Sequence, residues 1–160
     1  MKSIKEKLEV LTAIAKEFDK SDITWAIGAS SMLYLRNIVE EFNDLDLMIK
    51  KEDALKAKEI LLKMGTLKES VSGSYATEYF YEFVIADVEV DVMAGFKIVK
   101  DDIIYDCSLK EEDIKETVLI NGTAVPLDSL ENWLRYYRLM ERDEKVLLIE
   151  NHRNLSREEN

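Results

Sequence analysis

Ile4, Leu8, Leu11, Ala15 and Phe18 fall at alternating steps of four and three, which puts them on one face of a helix over residues 2–19. Asp19 to Asp22 break that pattern. The β-branched and bulky run Ile23 to Ile27 reads as a buried strand ended by Gly28. Residues 30–36 then predict a short helix with Ser30 or Ser31 as its cap. A second strand runs from Asp44 to Ile49. A helix over 52–64 follows, with Ala54, Ala57, Leu61 and Met64 on one face and Gly65 as its stop. The polar stretch 67–77 reads as a loop. Tyr79 to Ile85 and Val88 to Met93 form a hairpin about Ala86-Asp87, and Phe96 to Val99 extend the sheet. Asn121-Gly122, between short apolar runs at 118–120 and 124–125, is the strongest hairpin signal in the chain. A helix from about Ser129 to Met140 follows Pro126, a further helical stretch reaches about His152, and the tail NLSREEN is expected to fray. This order of elements predicts an α+β domain with a mixed sheet flanked by helices.

Composition narrows the function more than the fold. The 160 residues fit one domain, divided here into a core over 1–126 and a C-terminal helical segment over 127–160. The 22 basic and 33 acidic residues leave a formal charge of −11. Such a surface repels polyanions, so no extended nucleic-acid groove is expected. Cys107 and His152 are the sole cysteine and histidine. That excludes an internal disulfide and argues against zinc sites and Ser-His or Cys-His catalysis. The N-terminal string MKSIKEKLEV has no signal-peptide core, and no apolar run approaches the ~20 residues needed to span a bilayer. A cytoplasmic protein without a membrane partner is the expectation.

The candidate chemistry centres on Asn43-Asp44-Leu45-Asp46-Leu47. Residues two apart on a strand share a face, so Asp44 and Asp46 point one way and Leu45 and Leu47 the other. Two ionised carboxylates about 7 Å apart repel if buried, and a bound Mg²⁺ removes the conflict. Taken alone, Asp-x-Asp is a weak signal and reads more readily as an exposed acidic strand face. A calcium loop does not fit, because apolar Leu47 and Met48 follow and no glycine stands at the required turn. In Val88-Glu89-Val90-Asp91-Val92 the valines alternate with carboxylates, and a neighbouring strand could bring Asp91 beside the first pair. Its plainer reading is a half-exposed strand. The turn Gly28-Ala29-Ser30-Ser31 offers free amides and a hydroxyl to a phosphate, or is a plain serine-capped turn. Arg135, Arg138 and Arg142 share one helical stripe, facing either a triphosphate or acidic partners such as Glu131 and Glu141. Arg36 is open in the same way. Trp25 and Trp133 read as core, and Tyr79 or Tyr81 as candidates to line an acceptor pocket.

Taken together, these pieces resemble the DNA polymerase β-like nucleotidyltransferase superfamily. Its pattern is a strand ending in Gly-Gly or Gly-Ser, a short helix, Asp-x-Asp on the next strand and a third carboxylate on a later one. The matching residues are Ile27-Gly28-Ala29-Ser30, Asp44-Leu45-Asp46 and Asp91. FNDLDLMI and VPLDSLENWLRYYRLMER are similar to segments of lincosamide nucleotidyltransferases and compact bacterial members, so the likeness spans residues 23 to 143. The resemblance implies a nucleotidyltransferase fold and transfer of a nucleoside monophosphate from a triphosphate such as ATP to an acceptor hydroxyl. It implies two Mg²⁺ ions, with Mn²⁺ as the substitute, held by Asp44, Asp46 and Asp91 as the catalytic set. It implies phosphate binding by Gly28, Ala29, Ser30 and Ser31 with Arg138 and Arg142. The acceptor stays open among a small molecule, a protein and tRNA. Ala29 stands where relatives carry Gly or Ser, and Tyr137 where many carry lysine. Those departures favour the alternative, a non-catalytic nucleotide-binding or partner protein that keeps the fold, while the intact set of three carboxylates favours the enzyme.

Overall fold

The structure is a computed structural model that describes residues 2–68 and 76–159. Helix α1 (Ile4–Lys20) opens with a reciprocal cap: the Ser3 hydroxyl accepts from the Glu6 amide and the Glu6 carboxylate accepts from the Ser3 amide. Strand β1 (Trp25–Gly28) leads directly into the short α2 (Ala29–Leu35). Then come β2 (Leu45–Ile49), a 3-10 turn at Lys51–Asp53, α3 (Ala54–Leu62) and the two-residue β3 (Thr66–Leu67). A hairpin of β4 (Tyr79–Ile85) and β5 (Val88–Ala94) follows, then β6 (Lys97–Lys100) with β7 (Ile103–Asp106), and β8 (Glu116–Ile120) with β9 (Thr123–Leu127). Helices α4 (Leu130–Leu139) and α5 (Asp143–Glu159) close the fold.

Seven strands form one sheet in the order β3-β4-β5-β2-β1-β9-β8. The β2–β5 and β1–β9 pairs are parallel and the rest antiparallel, so the sheet is mixed as expected. Three hairpins turn through two residues that both take positive φ: Ala86-Asp87, Asp101-Asp102 and Asn121-Gly122. Turns of that hand match the right-handed twist of paired strands. One face of the centre is aliphatic throughout. Leu45, Leu47, Ile49, Val90, Val92 and Ala94 are all at most 1% exposed there, and Phe18 of α1 sets its ring edge against Trp25 at 5.4 Å.

Four details differ from the sequence reading. Strand β6 does not extend the main sheet; it pairs with β7 in a separate ribbon. Part of the expected 67–77 loop is strand, since Thr66 and Leu67 pair with Val84 and Phe83, and residues 69–75 lie outside the described residues. Helix α2 starts one residue early with Gly28 at its cap position, so neither serine caps it. Finally, α5 runs to Glu159 rather than fraying after His152. Ile149 is fully buried and Arg153 pairs with Glu131 of α4 at 3.2 Å, which anchor the helix as far as Arg153.

Candidate functional site

The ladder pairing sets one row across the sheet. Gly28 of β1 stands opposite Asp46 of β2, Asp46 opposite Asp91 of β5, and Asp91 opposite Glu82 of β4. Paired residues point to the same face, so three carboxylates lie side by side on the face opposite the aliphatic core. Asp44 precedes β2 and is close enough to act electrostatically on both Asp46 and Asp91. Beside it opens a cleft of ≈ 520 Å³, lined by Lys2, Lys7, Asn43, Asp44, Val88 and Glu89 among others.

Crowding of like charge marks this row. Asp46 is raised well above the usual carboxylate range, first by burial, then by Asp91 and Asp44. Asp91 is raised to about 6, again first by burial, then by Asp44, Glu82 and Glu89. Asp44 is raised by burial and by a hydrogen bond shared with Glu89. Glu89 is lowered instead, because Lys68 stands 3.2 Å away. Within that pair Asp44 is therefore the more basic partner. An all-oxygen donor set whose members hinder one another's ionisation is suited to a hard divalent cation. Among the described residues, no three acidic, histidine or cysteine side chains already stand together as a ready metal cage.

Glycine is required at 28 because of close approach. A Cβ there would stand 2.8 Å from the Trp133 ring and 3.0 Å from Met48 Cγ. The next residue, Ala29, takes φ +50, the left-handed region where glycine is at ease. The two serines have different tasks. Ser31 is fully buried; its hydroxyl donates to the Gly28 carbonyl at 2.9 Å and accepts from the Asp46 amide at 3.2 Å. It ties the turn to β2 rather than facing outward. Ser30 is half-buried and accepts from Lys145 Nζ at 3.1 Å. The buried Tyr137 hydroxyl also bonds Ser30 and feels both Asp46 and Arg142. Lys145, Arg142, Tyr137 and Ser30 thus form a polar, basic corner next to the acidic row.

The remaining candidates separate cleanly. Arg138 pairs with Glu150 of α5 at 2.7 Å, and Arg135 lies over the Tyr136 ring at 5.5 Å. The other acids weighed for this stripe pair elsewhere, Glu131 with Arg153 and Glu141 with Lys100. Arg36 donates to the Asp128 carbonyl at 2.7 Å and to Glu116 at 2.9 Å, stapling α2 to the far strands. Both tryptophans are buried, as expected. Tyr79 and Tyr81 stand opposite Ala94 and Val92, so they lie on the aliphatic face, away from the carboxylates. Lys58 of α3 covers the Tyr81 ring there. Two site-side residues escaped the sequence reading, Glu82 and Lys145. The two-residue turn at Ala86-Asp87 fixes the hairpin register, so Glu82 opposite Asp91 could have been found. Nothing along the chain signals Lys145, because its reach depends on how α5 packs.

No family model and no curated protein sequence matches the chain. Solved structures do. A protein of Thermotoga maritima provisionally assigned as a nucleotidyltransferase superposes with a TM-score of 0.74 at 22% identity, covering 96% of each chain. The structure of ANT(2'')-Ia in complex with adenylyl-2''-tobramycin gives 0.62 at 16% identity, covering 90% of this chain and 87% of that one. A solution structure of the antibiotic-resistance factor ANT(2'')-Ia gives 0.57 at 17% identity, covering 96% and 94%. The chain therefore has the fold of the small bacterial nucleotidyltransferases.

Proposed function

We propose that the protein is a Mg²⁺-dependent nucleotidyltransferase, which moves a nucleoside monophosphate from a triphosphate to a hydroxyl on a small cationic acceptor. The observation that carries this reading is the adjacency of Asp46 and Asp91 across β2 and β5, with Asp44 acting on both, in a chain of this fold. Mg²⁺ bound to these carboxylates supplies charge neutralisation at the phosphates. Mn²⁺, with similar oxygen preference, is the natural substitute. Each protein group has a distinct task. Asp44 and Asp46 hold metal. Asp91, raised to about 6, is suited to take the acceptor's hydroxyl proton near neutral pH. The acceptor oxygen forms a bond to the α-phosphorus, the α–β anhydride bond breaks, and pyrophosphate leaves. Backbone from Gly28 to Ser30 and the cations of Lys145 and Arg142 receive the β- and γ-phosphates. Arg138, engaged with Glu150, is the weaker candidate.

Glu82 and Glu89 flank Asp91 on the side away from that basic corner. They suit an ammonium-bearing acceptor, and the adenylylated tobramycin of the ANT(2'')-Ia complex is chemistry of that kind. A net charge of −11 fits the same choice over tRNA. Thermal melts with Mg²⁺ and each triphosphate test the reading. The midpoint should rise with Mg²⁺ and further with Mg²⁺ plus one triphosphate, because both bind the native state alone. A midpoint indifferent to all of them at millimolar concentration would leave the non-catalytic alternative as the better account.

A further inference from the structure

Lys7 is a lysine of α1 that is only 6% exposed. An ammonium placed so deeply costs free energy unless it is paired. Its Nζ donates to the Phe42 carbonyl at 2.6 Å and stands 5.3 Å from the centre of the Phe42 ring. Phe42 is itself 4% exposed and packs on Tyr34 of α2 at 5.2 Å. Around it the chain between α2 and β2 is irregular, and Glu40, Glu41 and Asn43 are exposed. Asp44 lies two residues beyond Phe42 and just outside the β2 ladder, which begins at Leu45. Hydrogen bonds of the sheet therefore fix Asp46 and Asp91 in place but stop short of Asp44. Lys7 also lines the cleft that Asp44 opens onto, and its charge acts on the Asp44 carboxyl.

We propose that Lys7 is a positioning residue for Asp44: it anchors the 40–44 segment through the Phe42 carbonyl so that the Asp44 carboxylate is held ready for metal. This rests on the metal reading above. The lysine touches neither substrate nor metal. It acts as an outer support for a ligand that its own strand does not hold.

Lys7→Met keeps the length of the side chain and its packing on Phe42 while removing the donor. In a thermal-shift titration its half-saturating Mg²⁺ concentration should rise about tenfold, the lower end of what losing an outer-shell partner costs. Lys7→Arg, which still donates to the carbonyl, should recover most of that. Ile14→Val loses core packing in the same helix and should keep the wild-type half-saturation, which separates positioning from general destabilisation. Hydrogen exchange without metal reads the anchor directly: amides of residues 40–46 should exchange faster in Lys7→Met. Lys7→Gln, too short to reach the carbonyl, reads the same two quantities if the methionine variant does not fold. An unchanged Mg²⁺ half-saturation or unchanged exchange in a metal-responsive protein overturns the role of Lys7 alone. So does an equal shift in Ile14→Val. A wild type that ignores Mg²⁺ and every triphosphate overturns the metal reading, and the role of Lys7 with it.

Discussion

The corner where β9 runs into α4 and the start of β2 each hold an aspartate that desolvation raises, the first buried and the second half-buried, and the two are managed in opposite ways. Asp128, 3% exposed, accepts from the Ser129 amide at 2.7 Å and from the Trp133 indole at 2.9 Å. Burial raises its pKa, and those two donors pull it back. Asp46 has no such help. Among the described residues no donor reaches its carboxylate, and the groups that act on it are Asp91 and Asp44, both of which oppose its charge. Donors make a buried carboxylate tolerable in a fold, while a half-buried one crowded by its own kind is a strain that a cation would relieve. The two sites are also linked. Asp128 orients Trp133, Trp133 presses on Gly28, and Gly28 pairs with Asp46.

The sharpest division between the two comes from removing charge at each. Asp46→Asn should lower nucleotidyl transfer by at least about 100-fold, the scale of losing a charge-stabilising group at a reacting centre. It should also abolish most of the Mg²⁺-dependent rise in melting midpoint. Without metal it should melt at or above the wild-type temperature, because a repulsion has gone. A metal-free variant clearly less stable than wild type would make Asp46 a structural residue like Asp128, and the contrast would collapse.

Asp128→Ala should behave the other way round. It leaves the Trp133 indole and the Ser129 amide without partners and opens a void, at a cost of about 3 kcal/mol in urea melts. The Mg²⁺ half-saturation of the folded fraction should change little. A large loss of Mg²⁺ affinity at unchanged stability would mean that the Trp133–Gly28 link governs the metal site more than the carboxylates do.

Much of this was legible along the chain, and the limits are physical. Alternation placed the β2 and β5 carboxylates opposite the aliphatic face, since period two is a strict consequence of the strand. The same rule, applied through the Ala86-Asp87 turn, would have found Glu82 and sent Tyr79 and Tyr81 to the other face. The 3.6-residue period located α1 and α3 to within about two residues. What stayed hidden depends on packing between elements distant in sequence. Lys145 meets Ser30 only because α5 folds back beside α4, and Lys7 meets Phe42 across 35 positions. The hydroxyl of Ser31 looked free as a phosphate ligand but is used inside the fold. Strand β6 had the composition of a sheet strand, and nothing in its own residues shows that β7 is its one partner in a separate ribbon.

A milder effect should appear with pH in the metal-free protein. Asp91 titrates from an ordinary value of 3.8 in the unfolded chain and at about 6 in the folded one. Between those values the folded state keeps a proton that the unfolded state has lost. Raising the pH through that window strips it, so stability should fall from about pH 4 to pH 6. Asp44 and Asp46 are shifted the same way and add to the slope. Melts in chelator should show the decline, Asp91→Asn should flatten it, and saturating Mg²⁺ should remove it. A flat wild-type profile would mean that the carboxylates are better solvated than their crowding implies.

The smallest effect concerns the turn that joins the two regions. Ala29 holds φ +50 between Gly28, fixed by Trp133, and Ser30, held by Lys145. The left-handed conformation costs an L-residue about 1–2 kcal/mol. Glycine avoids that cost but loses about 0.5–1 kcal/mol through the greater freedom of the unfolded chain. Ala29→Gly should therefore raise stability by about 0.5 kcal/mol, read as a small increase in the urea midpoint at constant slope. Because the neighbours on both sides hold the turn, its triphosphate half-saturation should stay within about threefold of wild type. A loss of stability would mean that residue 29 is not left-handed in solution. A large gain in triphosphate affinity would instead mean that the alanine methyl obstructs the phosphates, and that this chain has traded nucleotide binding for some other use of the turn.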